Sequence, residues 1–308
     1  MIFTITLNPC IDYYIKVEDH LMKDEVNRGT QEQYKAAGKG LNVSRALSAL
    51  GIPSTAVAVL GGFTGKFIEQ AFDEDPLIHL MTVPVKGCNR INMKAWTAHG
   101  SSLCINGEGP TADEATISIA MSQLRRLMPH DCVLISGSVM KGMDDSLLAD
   151  IAARVHEMKA ELIIDMEQLS EPLIRAYRPS LIKPNIYEYG KLIGRSDLTI
   201  ESLADEIGKG LAMGTECLLV SCGKDGAMLG TREGIYRMDQ PHDVLVNKAG
   251  AGDAMLAAFV GMKDKGLSDP ECLQWAGAAG NAAASTFDPI SMDLVSSYYP
   301  RIKVEKIR

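Results

Sequence analysis

The stretch Asn247-Lys248-Ala249-Gly250-Ala251-Gly252-Asp253 runs from a glycine-rich turn straight into an apolar-periodic helix. Free backbone N–H groups at a helix N-terminus, helped by the helix dipole, form a pocket for phosphate oxygens, and the glycines let those oxygens approach without meeting a Cβ. Asp253, in the first turn, faces the same pocket and is placed to take a proton from a hydroxyl attacking a bound phosphate. An aspartate after glycines also serves as a helix N-cap, and the local pattern alone leaves both roles open.

A second glycine-rich turn, Ala37-Gly38-Lys39-Gly40-Leu41-Asn42, opens another helix and offers Lys39 and Asn42 to a ligand. It is not a Walker A loop, since neither Gly38-Lys39 nor Gly65-Lys66 has the required spacing with a following Ser or Thr. Other chemistries fare worse. The histidines His20, His79, His99, His130, His156 and His242 form no H-x-x-x-H cluster. Ser136-Gly137-Ser138 is not a nucleophile elbow, and Gly223, Gly226 and Gly230 miss the spacing of a dinucleotide reader.

The elements that must position these residues read as α/β. Short apolar runs alternate with amphipathic stretches, the pattern of parallel strands covered by crossover helices. Strands are expected at Ile2–Leu7, Ser54–Leu60, Cys132–Ser136, Leu162–Asp165, Leu181–Lys183 and Glu216–Ser221. Helices are expected at Leu41–Leu50, Asp113–Met128, Asp144–Met158, Ser202–Met213, Asp253–Lys265 and Pro270–Phe287. Two segments break the rhythm, about 12–34 and 90–105, the second with a His99-Gly100-Ser101 turn; they are expected to form a small discontinuous β lid over the carboxyl ends of the main strands. With 308 residues and no internal repeat or linker, one core domain spanning 1–308 with this lid inserted is the expected organisation.

The formal charge of -8 excludes bulk attraction to nucleic acid, so any anion must be bound by local design. The 7 cysteines are scattered, without a C-x-x-C pair, which points to a reducing cytoplasm. The N-terminus lacks a basic leader, and no apolar run reaches the roughly 18 residues of a membrane span.

In eight segments, in order along nearly the whole chain, the sequence resembles the PfkB (ribokinase-like) carbohydrate kinases, in the branch of 1-phosphofructokinases and tagatose-6-phosphate kinases. They are Thr6-Leu7-Asn8-Pro9 with Asp12, Glu25-Val26-Asn27-Arg28, Gly38-Lys39-Gly40-Leu41-Asn42-Val43, Arg90-Ile91-Asn92-Met93-Lys94, Ser136-Gly137-Ser138, Lys183-Pro184-Asn185 with Glu188, Ser221-Cys222-Gly223-Lys224-Asp225-Gly226 and Gly250-Ala251-Gly252-Asp253. The resemblance implies a three-layer α/β/α core and phosphorylation by ATP with Mg²⁺. It implies that Asp253 is the catalytic base, with N–H groups of Gly250, Ala251 and Gly252 neutralising the transferring γ-phosphoryl group. It gives Asp12, Gly38 and Asn42 to the sugar, and Arg28, Lys39 and Arg90, with Lys94 and Ser138 as helpers, to a phosphate the sugar already carries. Lys183, Asn185, Ser221, Gly223, Gly226 and Asn281 fall on the nucleotide side, and Glu188 near Mg²⁺.

Three positions depart from the family pattern: Ala37 for a glycine, Lys248-Ala249 for Thr-Val, and Val139-Met140-Lys141 after Ser138. The implied substrate is fructose 1-phosphate, with tagatose 6-phosphate the alternative and a non-catalytic sugar-phosphate-binding regulatory protein the alternative of another class. A homodimer through the lid is expected by the same resemblance.

Overall fold

A computed structural model of the 308-residue chain describes residues 1–18, 20–97, 99, 102–241, 245–247 and 249–308. In chain order the first half contains β1 (Ile2–Thr6), β2 (Cys10–Val17), β3 (Gly29–Ala37), α1 (Lys39–Ala49), β4 (Ser54–Leu60), α2 (Gly62–Asp73), β5 (Ile78–Pro84), β6 (Arg90–Thr97), β7 (Ser102–Asn106), α3 (Glu114–Gln123) and β8 (Cys132–Ser136). The second half contains α4 (Asp145–Glu157), β9 (Glu161–Asp165), α5 (Glu171–Tyr177), β10 (Leu181–Ile182), α6 (Ile186–Leu192), α7 (Ile200–Ala212), β11 (Cys217–Ser221), β12 (Ala227–Thr231), β13 (Gly234–Asp239), α8 (Ala251–Asp264), α9 (Asp269–Ala284), α10 (Met292–Tyr298) and β14 (Lys303–Lys306).

Ten strands form the main sheet in the order β14-β13-β12-β11-β10-β9-β8-β1-β4-β5. From β11 to β5 all neighbours are parallel, and β12, β13 and β14 extend that edge antiparallel. Strands covered on both faces are buried along their whole length, as β4 is, where the apolar run 56–60 follows buried Ser54 and Thr55. Alternation sorts their side chains into two cores. Ile2, Leu134, Ile163 and Leu219 pack with Leu47 of α1, Phe259 of α8 and Leu273 of α9, while Phe3, Ile5, Ile135 and Val220 pack with Leu147 of α4 and Leu203 of α7. The result is the expected three-layer α/β/α core.

All six expected strands are present to within a residue or two. The expected helix over 113–128 is shorter: Asp113 is its cap, accepting from Thr116 N–H, and a tighter 3₁₀ turn at Leu124–Arg126 follows it. β5, β12, β13, β14 and helices α2, α5, α6 and α10 are additional to the elements read from the sequence.

The two segments that broke the rhythm make a separate four-stranded sheet, β3-β2-β6-β7. β2 follows β1 after three residues, so this sheet grows from the carboxyl end of a central strand. Gly100 and Ser101 of the expected turn lie outside the described residues. Parallel pairing of β2 with β6 sets Cys10 opposite Arg90, Asp12 opposite Asn92 and Tyr14 opposite Lys94. All six therefore share one face of the small sheet, and Tyr13, Ile91 and Met93 fall on the other.

Candidate active site

Helix α8 starts on Gly250, whose φ of 83° is the left-handed conformation that glycine accepts without strain. No side chain caps this helix, so the N–H groups of its first turn are left to a ligand. Gly250, not Asp253, is the N-cap residue, and the carboxylate lies one turn in, where its Oδ2 accepts a 2.8 Å hydrogen bond from the Asn42 amide. Asn42 projects from the first turn of α1, which packs against α8 on the same face of the sheet. Asp253 is 7% exposed. Burial, and then the neighbouring Asp165 carboxylate, push its pKa up to about 6, against the pull of the Asn42 hydrogen bond, Lys183 and Lys39.

Asp165, at the carboxyl end of β9, was given no role from the sequence, yet it organises the floor of the site. Its Oδ1 is 3.2 Å from Lys39 Nζ and its Oδ2 is 3.4 Å from Lys183 Nζ. Oδ2 is buried and accepts no hydrogen bond. Burial works to lower the Lys39 pKa, but Asp165, Asp253 and Glu188 outweigh it and the net shift is upward, which keeps the ammonium charged. A Cβ on Gly252 would stand 3.3 Å from Lys183 Nζ, so the lysine reaches the turn that opens α8. Gly38 has φ +145, and a Cβ there would be 2.6 Å from Thr6 Cγ2; the turn before α1 thus sits directly on the end of β1. Ala37, the departure from the family pattern, ends β3 in a buried position.

Above this floor, Arg90 donates from Nε to the Asn8 carbonyl and from Nη2 to Ser138 Oγ, both at 3.3 Å. The Asn8 amide donates to the same hydroxyl at 3.4 Å. The three line a cleft of about 650 Å³ that continues past Lys141 and Ser146. Lys141, another departure, lies 3.7 Å from Glu108 on this rim. Asp12 stands on β2, on the same face of the small sheet as Arg90, and is 8% exposed. Lys94, read from the sequence as a phosphate helper, is instead paired with Asp12. Arg28 is not brought into the group: it precedes Gly29, which pairs with Val17, five residues and about 17 Å of strand beyond Asp12.

On the other side of α8, Asn185 caps α6 by accepting from Tyr187 and Glu188 N–H, while Glu188 Oε2 accepts from Asn185 N–H at 2.8 Å. This capping box fixes the Glu188 carboxylate, leaving its second oxygen outside that box and close enough to the floor to raise the Lys39 pKa. Ser221 ends β11 and is bridged to Asn185. Gly223 and Gly226 adopt φ +59 and +92 in the turn that follows. Gln240, missed in the sequence, ties that turn to α9: its Nε2 donates to the Gly223 carbonyl at 2.7 Å and its Oε1 accepts from Asn281 Nδ2 at 2.9 Å. Lys248 lies outside the described residues.

The candidate residues thus line the carboxyl ends of β1, β8, β9, β10 and β11. The model of the pfkB family carbohydrate kinases matches residues 4–294. The chain belongs to that family. It is 33% identical over 309 residues to a 1-phosphofructokinase of Bacillus subtilis, covering 100% of both chains. It is 36% identical over 288 residues to a D-tagatose-1-phosphate kinase of Bacillus licheniformis, covering 92% of each. The structure of Escherichia coli phosphofructokinase-2 in complex with substrates and products is similar with a TM-score of 0.88 and 25% identity, over 97% of this chain and 98% of that chain. As a carbohydrate kinase the protein is a phosphotransferase with a sugar hydroxyl as acceptor, and the comparisons with known kinases give a non-catalytic binder no support.

Proposed function

We propose that the protein transfers the γ-phosphoryl group of ATP to the free C6 hydroxyl of fructose 1-phosphate, giving fructose 1,6-bisphosphate. The observation that carries this reading is a buried carboxylate, Asp253, held by Asn42 beside an uncapped helix N-terminus, with the Arg90 guanidinium hydrogen-bonded to Ser138 in a cleft at the ends of the same strands. The sugar's own phosphate is gripped by Arg90, Ser138 and the Asn8 amide, and Asp12 accepts from its hydroxyls. Asp253 takes the proton as the hydroxyl oxygen bonds to phosphorus and ADP leaves with the electrons of the broken bond. The N–H groups of Ala251 and Gly252, with Lys39 and Lys183, receive the charge that builds on the phosphoryl oxygens.

The donor set fits Mg²⁺, which keeps most of its waters and takes few protein ligands. Asp165, whose Oδ2 accepts no hydrogen bond, and Glu188 would hold it, and bound there it would neutralise the triphosphate. Ser221, Gly223, Gly226, Gln240 and Asn281 would border the rest of the nucleotide.

One core domain with the small sheet as its lid accounts for the arrangement, since Asp12 and Arg90 both stand on that sheet and would draw it over the substrate. The outer face of the sheet exposes Tyr34, Ile91, Leu103 and Ile105, which supports a homodimer through the lid. A second subunit there is also the route by which Arg28 would reach a substrate. The free thiols and the absence, among described residues, of a helix long and apolar enough to cross a membrane are consistent with a reducing cytoplasm.

The likeness to the D-tagatose-1-phosphate kinase favours a second reading, the C4 epimer tagatose 1-phosphate. Tagatose 6-phosphate, phosphorylated at C1, would need the same phosphate cleft with the sugar reversed. A coupled ADP-release assay over these three, fructose 6-phosphate and unphosphorylated hexoses decides among them. We expect the highest kcat/KM with fructose 1-phosphate; reaction of unphosphorylated sugars alone would remove the role given to Arg90 and Ser138.

A further inference from the structure

The hydrogen bonds of Asp12 single out Lys94. Lys94 Nζ donates to Asp12 Oδ2 at 2.5 Å and to Tyr14 Oη at 3.2 Å, and lies 5.0 Å from the centre of the Tyr14 ring. Asn92 Nδ2 donates to Asp12 Oδ1 at 3.0 Å. The remaining contacts of the carboxylate are long, Tyr14 Oη at 3.5 Å and Cys10 Sγ at 3.6 Å. Each carboxylate oxygen accepts about two hydrogen bonds, so one strong donor per oxygen fixes the group while the weakly filled positions remain for sugar hydroxyls.

The parallel register keeps Lys94 away from the phosphate cleft. Arg90 opens β6 and reaches Ser138, whereas Lys94 lies four residues further along, about 13 Å at the usual strand rise, and its ammonium turns onto Asp12. The side chains of the pair are only 25% and 12% exposed. An unpaired carboxylate at that depth would be poorly solvated and would repel a phosphorylated sugar.

Resting on the kinase reading above, we infer that Lys94 is a positioning residue for substrate recognition: it acts through Asp12, fixing and neutralising that carboxylate, and does not contact the substrate's phosphate. This gives a phosphosugar enzyme a way to keep an acidic hydroxyl acceptor next to a dianionic substrate.

The test is a double-mutant cycle of Lys94→Met and Asp12→Asn, with kcat and KM measured for whichever sugar phosphate the wild type turns over, so that an error in the sugar's identity leaves it intact. On the wild-type background Lys94→Met should lower kcat/KM by about 30-fold or more, chiefly through KM. On the Asp12→Asn background the same change should cost less than about 3-fold, because the charge it compensates is gone. Lys94→Arg, which keeps the charge, should recover part of the loss, and its comparison with Lys94→Gln carries the test if the methionine variant fails to fold. Equal losses on both backgrounds would mean that Lys94 meets the substrate directly, and no loss would mean that it does neither; either result overturns the inference.

Discussion

At the scale of residues, the proposed transfer depends on how Asp253 is kept usable as a base. Burial and the Asp165 charge hold its pKa near 6, high enough to accept a proton and low enough to be ionised at neutral pH. The base must be deprotonated, so kcat/KM should be full above pH 7 and fall as pH drops through about 6. The Asn42 amide bonds the ionised form and pulls the pKa down. Asn42→Ala should therefore move the acid limb to higher pH, and a pH–rate profile of the two proteins reads the shift; a limb that stays in place would deny Asn42 this role. Asp253, Asn42 and the glycines were legible because glycine turns feeding helices advertise a pocket. Asp165 was silent: one acid closing an apolar run, Leu162-Ile163-Ile164-Asp165, looks like the end of any strand, and only the lysines that converge on it show what it does. The pairing of Lys94 with Asp12 was hidden for a related reason, since the residue type announces a cation but its neighbour is fixed by the register of β2 against β6.

At the scale of elements, the turn between β11 and β12 is tightly constrained. Gly226 has φ +92, and a Cβ there would stand 2.0 Å from the Met238 carbonyl oxygen on β13, a backbone atom with little room to yield. Gly226→Ala should cost about 2 kcal/mol or more and lower the melting temperature by about 4 °C or more. Thermal unfolding with and without ATP checks this, and an unchanged midpoint would contradict it. Elements built on a short unbroken apolar run, 56–60 in β4 and 132–135 in β8, could be read from the sequence almost to the residue. Those that escaped carry local breaks: α2 opens on Gly62 and contains Gly65, β12 and β13 hold Gly230, Gly234 and Arg237, and β5 interleaves His79 with its apolar residues. Sheet neighbours supply what those sequences lack, as in the pairing of β13 with the terminal β14.

At the scale of the whole molecule, two sheets meet at one cleft, and the smaller packs Ile11 and Ala36 of its outer face on the core while leaving the far end of that face in solvent. Tyr34 and Ile105 on the outward face are 54% and 52% exposed. Ile105→Lys should shift the protein from dimer to monomer in sedimentation velocity while leaving its melting temperature within about 2 °C of wild type. A wild-type monomer at micromolar concentration would contradict the dimer. The central claim is chemical: Asp253 deprotonates the C6 hydroxyl of a sugar already phosphorylated at C1. Phosphorus NMR of fructose 1-phosphate incubated with ATP, Mg²⁺ and enzyme tests it most directly. A second phosphate ester at C6 is expected with wild type, formed about 10²- to 10⁴-fold more slowly by Asp253→Asn. No second ester with wild type, or an undiminished rate with the asparagine variant, would contradict it.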